Sequence, residues 1–177
     1  MKTLAIIITF LAINSLAFAQ VKIYSDKELS TISYDMHHPM HSWTGVSKEA
    51  TSIILTDDKK ETITKVVVSV KIASFDSKNA NRDSHVLEAT EGLIYPTITF
   101  SSDSVKQVGD KLFVSGDLTF HGVVQRVSFN AEKTFSKNKV NVTGSFSLKM
   151  TQFKIEPPSL MGIATTDEFK IAFNMFY

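Results

Sequence analysis

The chain has 177 residues, a formal net charge of +1 and no cysteine. Its length is enough for one domain with a substantial core. The balanced charge gives no basic stripe for nucleic acid, and the lack of cysteine excludes disulfides, metal thiolates and thiol catalysis. We therefore expect a domain held together by its core and hydrogen bonds, without a nucleic-acid partner.

The N-terminus carries one charge, Lys2, followed by a mostly apolar run over residues 4–16 and by Ala17-Phe18-Ala19. A short basic region, a short apolar core and an A-x-A site are typical of a secretory signal peptide. A membrane anchor is the alternative, but the run is shorter than the ~20 apolar residues that a spanning helix needs. We predict a signal peptide over residues 1–19, cleaved after Ala19. The domain over residues 20–177 would then be periplasmic or secreted, with no transmembrane segment.

Apolar and polar residues alternate with a period of two along most of the remaining chain. Val66, Val68 and Val70, for example, fall on one face of a strand and Ser69 and Lys71 on the other. This alternation is the signature of strands with one buried face. It indicates about eight strands, near residues 29–36, 50–57, 66–73, 97–105, 111–120, 123–135, 139–150 and 169–177.

Short polar or glycine-containing turns separate the later strands, at Gly109-Asp110, His121-Gly122 and Lys137-Asn138. Turns of this kind join antiparallel neighbours. A meander of long antiparallel strands protects its edges best by closing on itself. We therefore predict an all-β antiparallel barrel, with a two-sheet sandwich as the alternative.

One helix and one irregular segment are predicted between the strands. Residues 79–90 favour a short helix, in which Asn79 would cap the N-terminus and Val86 and Leu87 would face inward. Residues 151–165 contain two adjacent prolines and show little periodicity, which predicts a loop across one end of the barrel.

The inward faces of the predicted strands form one apolar interior. An eight-stranded barrel either fills its interior with side chains or holds one small ligand. Gly116, Ala131 and Gly144 would leave a channel there, unless neighbouring phenylalanine rings fill the gaps. Periodicity does not distinguish a packed core from a lined tunnel. The candidate ligand-binding residues of the lining are Val66, Val68, Val70, Ile72, Ile98, Phe100, Leu112, Val114, Leu118, Phe120, Val127, Phe129, Val142, Phe146, Leu148, Phe169, Ile171, Phe173 and Met175.

The polar residues show no pattern typical of catalysis. No serine lies in a G-x-S-x-G elbow, and the carboxylates lack the pairing that general acid–base chemistry requires. His37, His38 and His41 cluster in sequence, but they need not converge on one point as zinc ligands must. A metal site at one rim would require them to meet His85 or His121, which we expect to bind backbone groups instead. We predict no catalytic residue, no metal site and no cofactor.

Several short motifs occur along the chain in a characteristic order. They are Gly45 after Trp43, Phe75-Asp76-Ser77, Asn81-Arg82-Asp83 with His85, Tyr95-Pro96, Gly116-Asp117-Leu118 and His121-Gly122-Val123. In this order they resemble the YceI-like family, exported β-barrel proteins associated with the binding of polyisoprenoids and other long-chain lipids. Phe153 stands in the place of a late Asp-Phe-Gly-like segment of that family, but Gln152 and Lys154 replace the acidic residue and the glycine.

The resemblance implies a lipocalin-like antiparallel barrel with a long-chain lipid or isoprenoid as its partner, and it supplies no catalytic residues. We expect an exported, non-enzymatic protein that holds a long apolar ligand, such as an isoprenoid, a quinone or a fatty-acid-like molecule. The competing interpretation is a fully packed barrel that acts as a partner-binding or stress-related structural module. Trp43, Phe113 and Phe176 are the candidate exposed residues for that role.

Overall fold

The structure is a computed structural model that describes residues 20–59, 61–136, 139–160 and 162–177. The predicted signal peptide and the predicted Lys137-Asn138 turn lie outside the described residues. Twelve strands and one α-helix, α1 (Ala80–Ala89), run through the described part of the chain, which confirms the all-β prediction with one short helix. The strands are β1 (Val21–Tyr24), β2 (Thr31–His38), β3 (His41–Ser47), β4 (Thr51–Thr56), β5 (Ile63–Lys71), β6 (Thr97–Val108), β7 (Lys111–Phe120), β8 (Val123–Ser136), β9 (Lys139–Lys149), β10 (Ser159–Leu160), β11 (Ile163–Ala164) and β12 (Glu168–Phe176).

Ten of these strands form one antiparallel sheet in the order β1-β4-β5-β6-β7-β8-β9-β12-β2-β3. Eight of them correspond to the predicted strands, and the other two, β1 and β3, are the edges. β1 has only four residues. The more buried face of β3 carries Trp43, Gly45 and Ser47, so this strand lacks the apolar alternation that identified the others.

The inner face of the sheet carries the hydrophobic core. Along β7, Leu112, Val114, Leu118 and Phe120 are buried, while Phe113 between them is exposed. Each buried side chain of this kind stabilises the fold by about 1.5–3 kcal/mol relative to an exposed one. The same alternation in the neighbouring strands makes one continuous core on the concave side of the sheet.

The sheet curls into an open barrel, and its edge strands β1 and β3 do not pair with each other in the described part of the chain. Instead, Val46 of β3 and Asp76 exchange two backbone hydrogen bonds, each of 3.0 Å. The Tyr177 hydroxyl lies 2.7 Å from Ser52 Oγ on β4. Contacts from turns and from the C-terminal residue therefore connect the two sides of the sheet.

The helix α1 forms as the sequence predicts. The Asn79 side chain caps its N-terminus by accepting a hydrogen bond of 3.1 Å from the backbone N–H of Arg82. Val86 and Leu87 pack against the core of the sheet, in agreement with their predicted inward orientation. The cap and these two apolar contacts hold the helix against the open side of the sheet.

The predicted loop over residues 151–165 contains two ordered pieces. A 3₁₀ turn spans Met150–Phe153, and β10 and β11 form a short hairpin. Gln152 Oε1 accepts a hydrogen bond of 3.1 Å from the backbone N–H of Lys149. Lys154 adopts a φ of +59°, the left-handed conformation that favours glycine. The two residues that depart from the family pattern are therefore part of an ordered turn.

Candidate ligand-binding cavity

The concave side of the sheet encloses a cavity of about 510 Å³. Pockets that hold small molecules are typically about 300–1,000 Å³ and are lined mainly by apolar side chains. The walls of this cavity are built from valine, isoleucine, leucine and phenylalanine of β4 to β9, β12 and β2. The interior is therefore large enough and apolar enough for a small hydrophobic molecule.

All but one of the candidate lining residues lie around this cavity. The residues in that position are Val66, Val68, Val70, Ile72, Ile98, Phe100, Leu112, Val114, Leu118, Phe120, Phe129, Val142, Phe146, Leu148, Phe169, Ile171, Phe173 and Met175. Val127 is the exception, because it is partly buried against the core and is not part of the cavity wall. Contact of these residues with a ligand stays a prediction.

The two glycines among the three small inward residues do not widen the cavity in the way a channel would require. A Cβ atom at Gly144 would lie 2.5 Å from Cζ of Phe173, so a phenylalanine ring already occupies that space. At Gly116, a Cβ atom would lie 2.6 Å from the backbone Cα of Ser102 on β6. Ala131 is buried and contributes to the cavity wall. Close packing rather than empty space explains the two glycines.

Phenylalanine rings shape one wall of the cavity. Phe129 stacks on Phe146 with ring centroids 4.6 Å apart and an interplanar angle of 10°. Phe100 and Phe173 pack on Phe129 at centroid distances of 5.4 and 5.6 Å. Each aromatic pair of this kind stabilises the fold by about 0.5–1.5 kcal/mol more than the buried area alone would, and it holds the rings in place. The wall is therefore preformed.

The cavity lining also includes polar residues, and we call five of them, Tyr34, Trp43, Arg82, His85 and Thr165, the polar mouth. The guanidinium carbon of Arg82 lies 5.0 Å from the centroid of the Trp43 ring, within the range of a cation–π interaction. This contact joins α1 to β3 at the mouth.

Three buried polar atoms at this mouth have no hydrogen-bond partner among the described residues: Tyr34 OH, Trp43 Nε1 and Thr165 Oγ1. Burial raises the pKa of the Tyr34 hydroxyl, and the neighbouring Trp43 indole N–H opposes that rise. The two groups are thus neighbours, although their geometry does not meet that of a hydrogen bond. Unpaired buried polar atoms are rare in proteins and each calls for an explanation.

The predicted histidine cluster brings two rings together, with the centroids of His38 and His41 5.6 Å apart. His38 is buried, its Nδ1 accepts the backbone N–H of Met40 at 3.2 Å, and its Nε2 therefore donates to the Ile163 carbonyl at 3.0 Å. His37 instead lies 2.8 Å from Ser42 Oγ. No group of three potential metal ligands occurs among the residues that the structure describes.

His121 and His85 lie on other elements, in the turn after β7 and on α1. His121 Nδ1 donates to the Phe153 carbonyl at 2.9 Å, the backbone contact predicted for this residue, and its Nε2 lies 2.9 Å from Glu91 Oε2. His85 is exposed on α1 and belongs to the polar mouth, with no backbone hydrogen bond from its ring in the described part of the chain.

Two of the three residues predicted to be exposed on the surface are in other positions. Phe176 is buried, and its backbone is bonded to the segment before β2: Ser30 Oγ accepts its N–H at 3.0 Å, and its carbonyl accepts the backbone N–H of Asp26 at 2.7 Å. Trp43 is half-buried at the polar mouth. Phe113 is exposed, as predicted.

Sequence analysis missed the contribution of β2 and β3 to the site. On β2, Ile32, Tyr34, Met36 and His38 all line the cavity. Their spacing of two residues is visible in the sequence, so the inward face of this strand could have been assigned. The approach of Arg82 to Trp43 carries no comparable signal, because it depends on how α1 meets the edge of the sheet.

A curled antiparallel sheet around an apolar cavity defines a lipocalin-like barrel. The YceI-like domain matches residues 24–176, and the chain belongs to this family. Protein YceI of Escherichia coli O157:H7 is 33% identical over 122 residues, a match that covers 67% of this chain and 64% of that protein. The chain thus spans slightly less than two thirds of the length of this curated relative.

Solved structures share the fold. BcnA of Burkholderia cenocepacia is 20% identical with a TM-score of 0.77, covering 86% of this chain and 99% of that chain. A polyisoprenoid-binding domain from Saccharophagus degradans is 16% identical with a TM-score of 0.69, covering 87% and 97% of the two chains. At these identities the likeness shows the fold. Within the described residues, no helix has both the length and the apolar character needed to cross a membrane.

Proposed function

We propose that this protein binds a long-chain apolar molecule in its cavity and acts as a carrier or store without catalysing a reaction. The cavity of about 510 Å³, with its almost wholly apolar wall, carries this proposal. Each methylene group of a chain that moves from water into such an interior gains about 0.8 kcal/mol. An isoprenoid, a quinone or a fatty-acid-like molecule fits this requirement.

The relatives support the same class of ligand. The Saccharophagus degradans domain, which shares this fold, is a polyisoprenoid-binding domain. The wall of the cavity offers a ligand mostly hydrocarbon surface and stacked rings, which favour binding rather than acid–base or nucleophilic chemistry. A binding protein is therefore the class that we infer.

We further propose that the protein is exported. The basic residue, apolar run and A-x-A site of residues 1–19 support cleavage after Ala19. An exported carrier would hold its ligand outside the cytoplasm. Mass spectrometry of the protein from its native cells tests this point: an N-terminus at Gln20 agrees with it, and an intact Met1 contradicts it.

A matched pair of substitutions on β5 tests the binding proposal. Val68 lines the cavity, whereas the adjacent Val67 is 37% exposed on the other face of the strand. Val68→Phe adds a ring inside the cavity, and Val67→Phe adds the same ring outside it. Binding of a fluorescent long-chain fatty acid and of a polyprenol is measured by titration for both variants and for the wild type.

We expect the wild type and Val67→Phe to bind a probe alike, and Val68→Phe to bind it at least about tenfold more weakly, because lost chain contacts of about 1.4 kcal/mol have that effect. Thermal unfolding verifies that both variants are folded. Equal binding by Val68→Phe and Val67→Phe would contradict the cavity as the site. Failure of the wild type to bind any long-chain probe would favour the competing packed, partner-binding module.

A further inference from the structure

The polar mouth differs in charge from the rest of the cavity. Arg82 is the one residue with a permanent charge among the described cavity-lining residues, which include no aspartate, glutamate or lysine. A guanidinium that lines an apolar cavity calls for a polar partner, because burying an unpaired charge is costly. The ligand itself is the natural source of that partner.

Arg82 is held in place but retains free hydrogen-bonding capacity. Its guanidinium rests on the Trp43 ring, and Nη1 makes two long hydrogen bonds to Ser77, of 3.4 Å to the carbonyl and 3.3 Å to Oγ. Nε and Nη2 have no partner in the described part of the chain. The neighbouring Asp83 carboxylate forms no ion pair with Arg82 and accepts the backbone N–H of Ser77 at 3.1 Å. Its charge raises the pKa of the Tyr34 hydroxyl, and the charge of Arg82 lowers it.

The unpaired buried atoms of the polar mouth are all able to donate hydrogen bonds. The indole N–H of Trp43 is a donor only, and the hydroxyl groups of Tyr34 and Thr165 can donate as well as accept. Tyr34 is only 8% exposed, so solvent does not readily satisfy its hydroxyl. Three donors and one cation thus belong to residues that line the same cavity.

We propose that the polar mouth binds the carboxylate head of a long-chain acid, while the chain of that acid lies along the apolar wall. A carboxylate accepts several hydrogen bonds and pairs with a guanidinium through planar, bidentate geometry. Its single negative charge is balanced by one arginine, whereas a pyrophosphate would leave excess negative charge in the cavity. This inference rests on the proposed function and specifies its ligand.

The first test compares ligands on the wild-type protein. Hexadecanoic acid, hexadecanol, methyl hexadecanoate and hexadecyl phosphate carry the same chain and compete against a fluorescent long-chain fatty acid. We expect the acid to bind about 10- to 100-fold more tightly than the alcohol and the ester, since a charged hydrogen-bonded pair has that effect. Equal affinities of the acid, the alcohol and the ester, or a preference for the phosphate, would overturn the proposal.

The second test removes the charge. Arg82→Gln should lower affinity for hexadecanoic acid by about 10-fold or more and leave affinity for the alcohol within about threefold, because the alcohol does not need the cation. Lys78→Gln is the matched control: Lys78 is a nearby cation that pairs with Asp76 at 2.6 Å and does not line the cavity. We expect this control to preserve the preference for the acid.

The outcomes separate the two proposals. An equal loss for acid and alcohol in Arg82→Gln would overturn head recognition, because it would mean that Arg82 only positions α1. Binding of the alcohol and the acid with equal strength to the wild type would sink the head-group inference while leaving the cavity proposal intact. Absence of binding for every chain-bearing probe would contradict the proposed function itself.

Discussion

The backbone N–H groups of Val46 and Asp76 each donate to the carbonyl of the other residue at 3.0 Å. This pair ties the edge strand β3 to the segment that leads into α1. Trp43 lies on β3 and Arg82 on α1, so the same connection sets the relative position of the two groups that face each other at the polar mouth. Closure of the sheet and the arrangement of the polar mouth are thus linked through one short backbone bridge.

The salt bridge between Asp26 and Lys139 gives stability that depends on pH in the acidic range. The Lys139 hydrogen bond, followed by the backbone N–H groups of Leu29 and Glu28, holds the pKa of the Asp26 carboxyl below its usual value. A lowered pKa in the folded state adds stability at neutral pH, and this stability is lost as pH falls through that folded pKa. We expect Asp26→Asn to lower the melting temperature at neutral pH, with the difference from wild type shrinking under strongly acidic conditions.

Thermal unfolding followed by circular dichroism at several pH values measures this difference. Lys139→Gln serves as the companion variant, because it removes the other partner of the 2.9 Å ion pair. The double variant should lose less in melting temperature than the sum of the losses in the two single variants, because both substitutions remove the same ion pair. A difference between wild type and Asp26→Asn that stays constant with pH would contradict the assignment.

The buried hydroxyl of Tyr177 makes the stability of the fold decrease as pH rises in the alkaline range. Burial raises its pKa to about 12, against a smaller lowering by the hydrogen bond with Ser52. Tyrosine in an unfolded chain ionises near pH ~10, so the folded state loses stability between about pH 10 and 12, as the unfolded state ionises first. We expect the free energy of unfolding of Tyr177→Phe to fall less steeply over this range.

Urea unfolding across the alkaline range measures this slope. Ser52→Ala is the control, since it removes the 2.7 Å contact but keeps the buried phenol, and it should retain the alkaline loss. Identical slopes for wild type and Tyr177→Phe would show that another group causes the loss.

Lys154 occupies a backbone conformation that suits glycine. A φ of +59° costs a non-glycine residue about 1–2 kcal/mol in the folded state, and glycine avoids this cost. Glycine also makes the unfolded chain more flexible, which lowers stability by about 0.5–1 kcal/mol. We expect Lys154→Gly to raise the free energy of unfolding by about 0.5–1 kcal/mol. Lys149→Gly, at an extended φ of −112°, should instead lower it. Chemical denaturation compares the two variants, and a loss of stability in both would rule out this account of the turn.

His38 links β2 to the β10–β11 hairpin. Replacing it by phenylalanine leaves the Ile163 carbonyl and the Met40 N–H without their partner, at a cost of about 1–3 kcal/mol. We expect His38→Phe to lower stability and to speed hydrogen exchange in residues 162–166. His37→Phe is the control. The exposed His37 ring has one hydrogen-bond contact among the described residues, with Ser42 Oγ, and it does not bond to the hairpin. Equal exchange in the two variants would show that the histidine does not hold the hairpin.

The strands and most of the cavity wall were predictable because their signal is local. Alternation along β5, β7 and β12 identifies which side chains point inward, whatever the rest of the chain does. β3 was not predicted, because Gly45 and Ser47 occupy positions where apolar residues would indicate an inner face. Gly45 is required there, since a Cβ atom would lie 2.6 Å from Cζ of Tyr34.

The polar mouth was not predictable because its members come from distant parts of the chain. Trp43, Arg82 and Thr165 belong to an edge strand, a helix and a loop, and only the folded chain brings them to the same cavity. The burial of Phe176 was not predictable either, because alternation places it on the outer face, whereas its backbone bonds to Ser30 from a distant part of the chain.

The central claim is that the cavity holds a long apolar molecule. Native mass spectrometry of the protein, purified from its own cells without denaturant and then extracted with organic solvent, tests this claim most directly. We expect a stoichiometric added mass that the solvent removes and that is identified as a long-chain lipid. A ligand-free mass that persists after incubation with fatty acids and polyisoprenoids would contradict the claim.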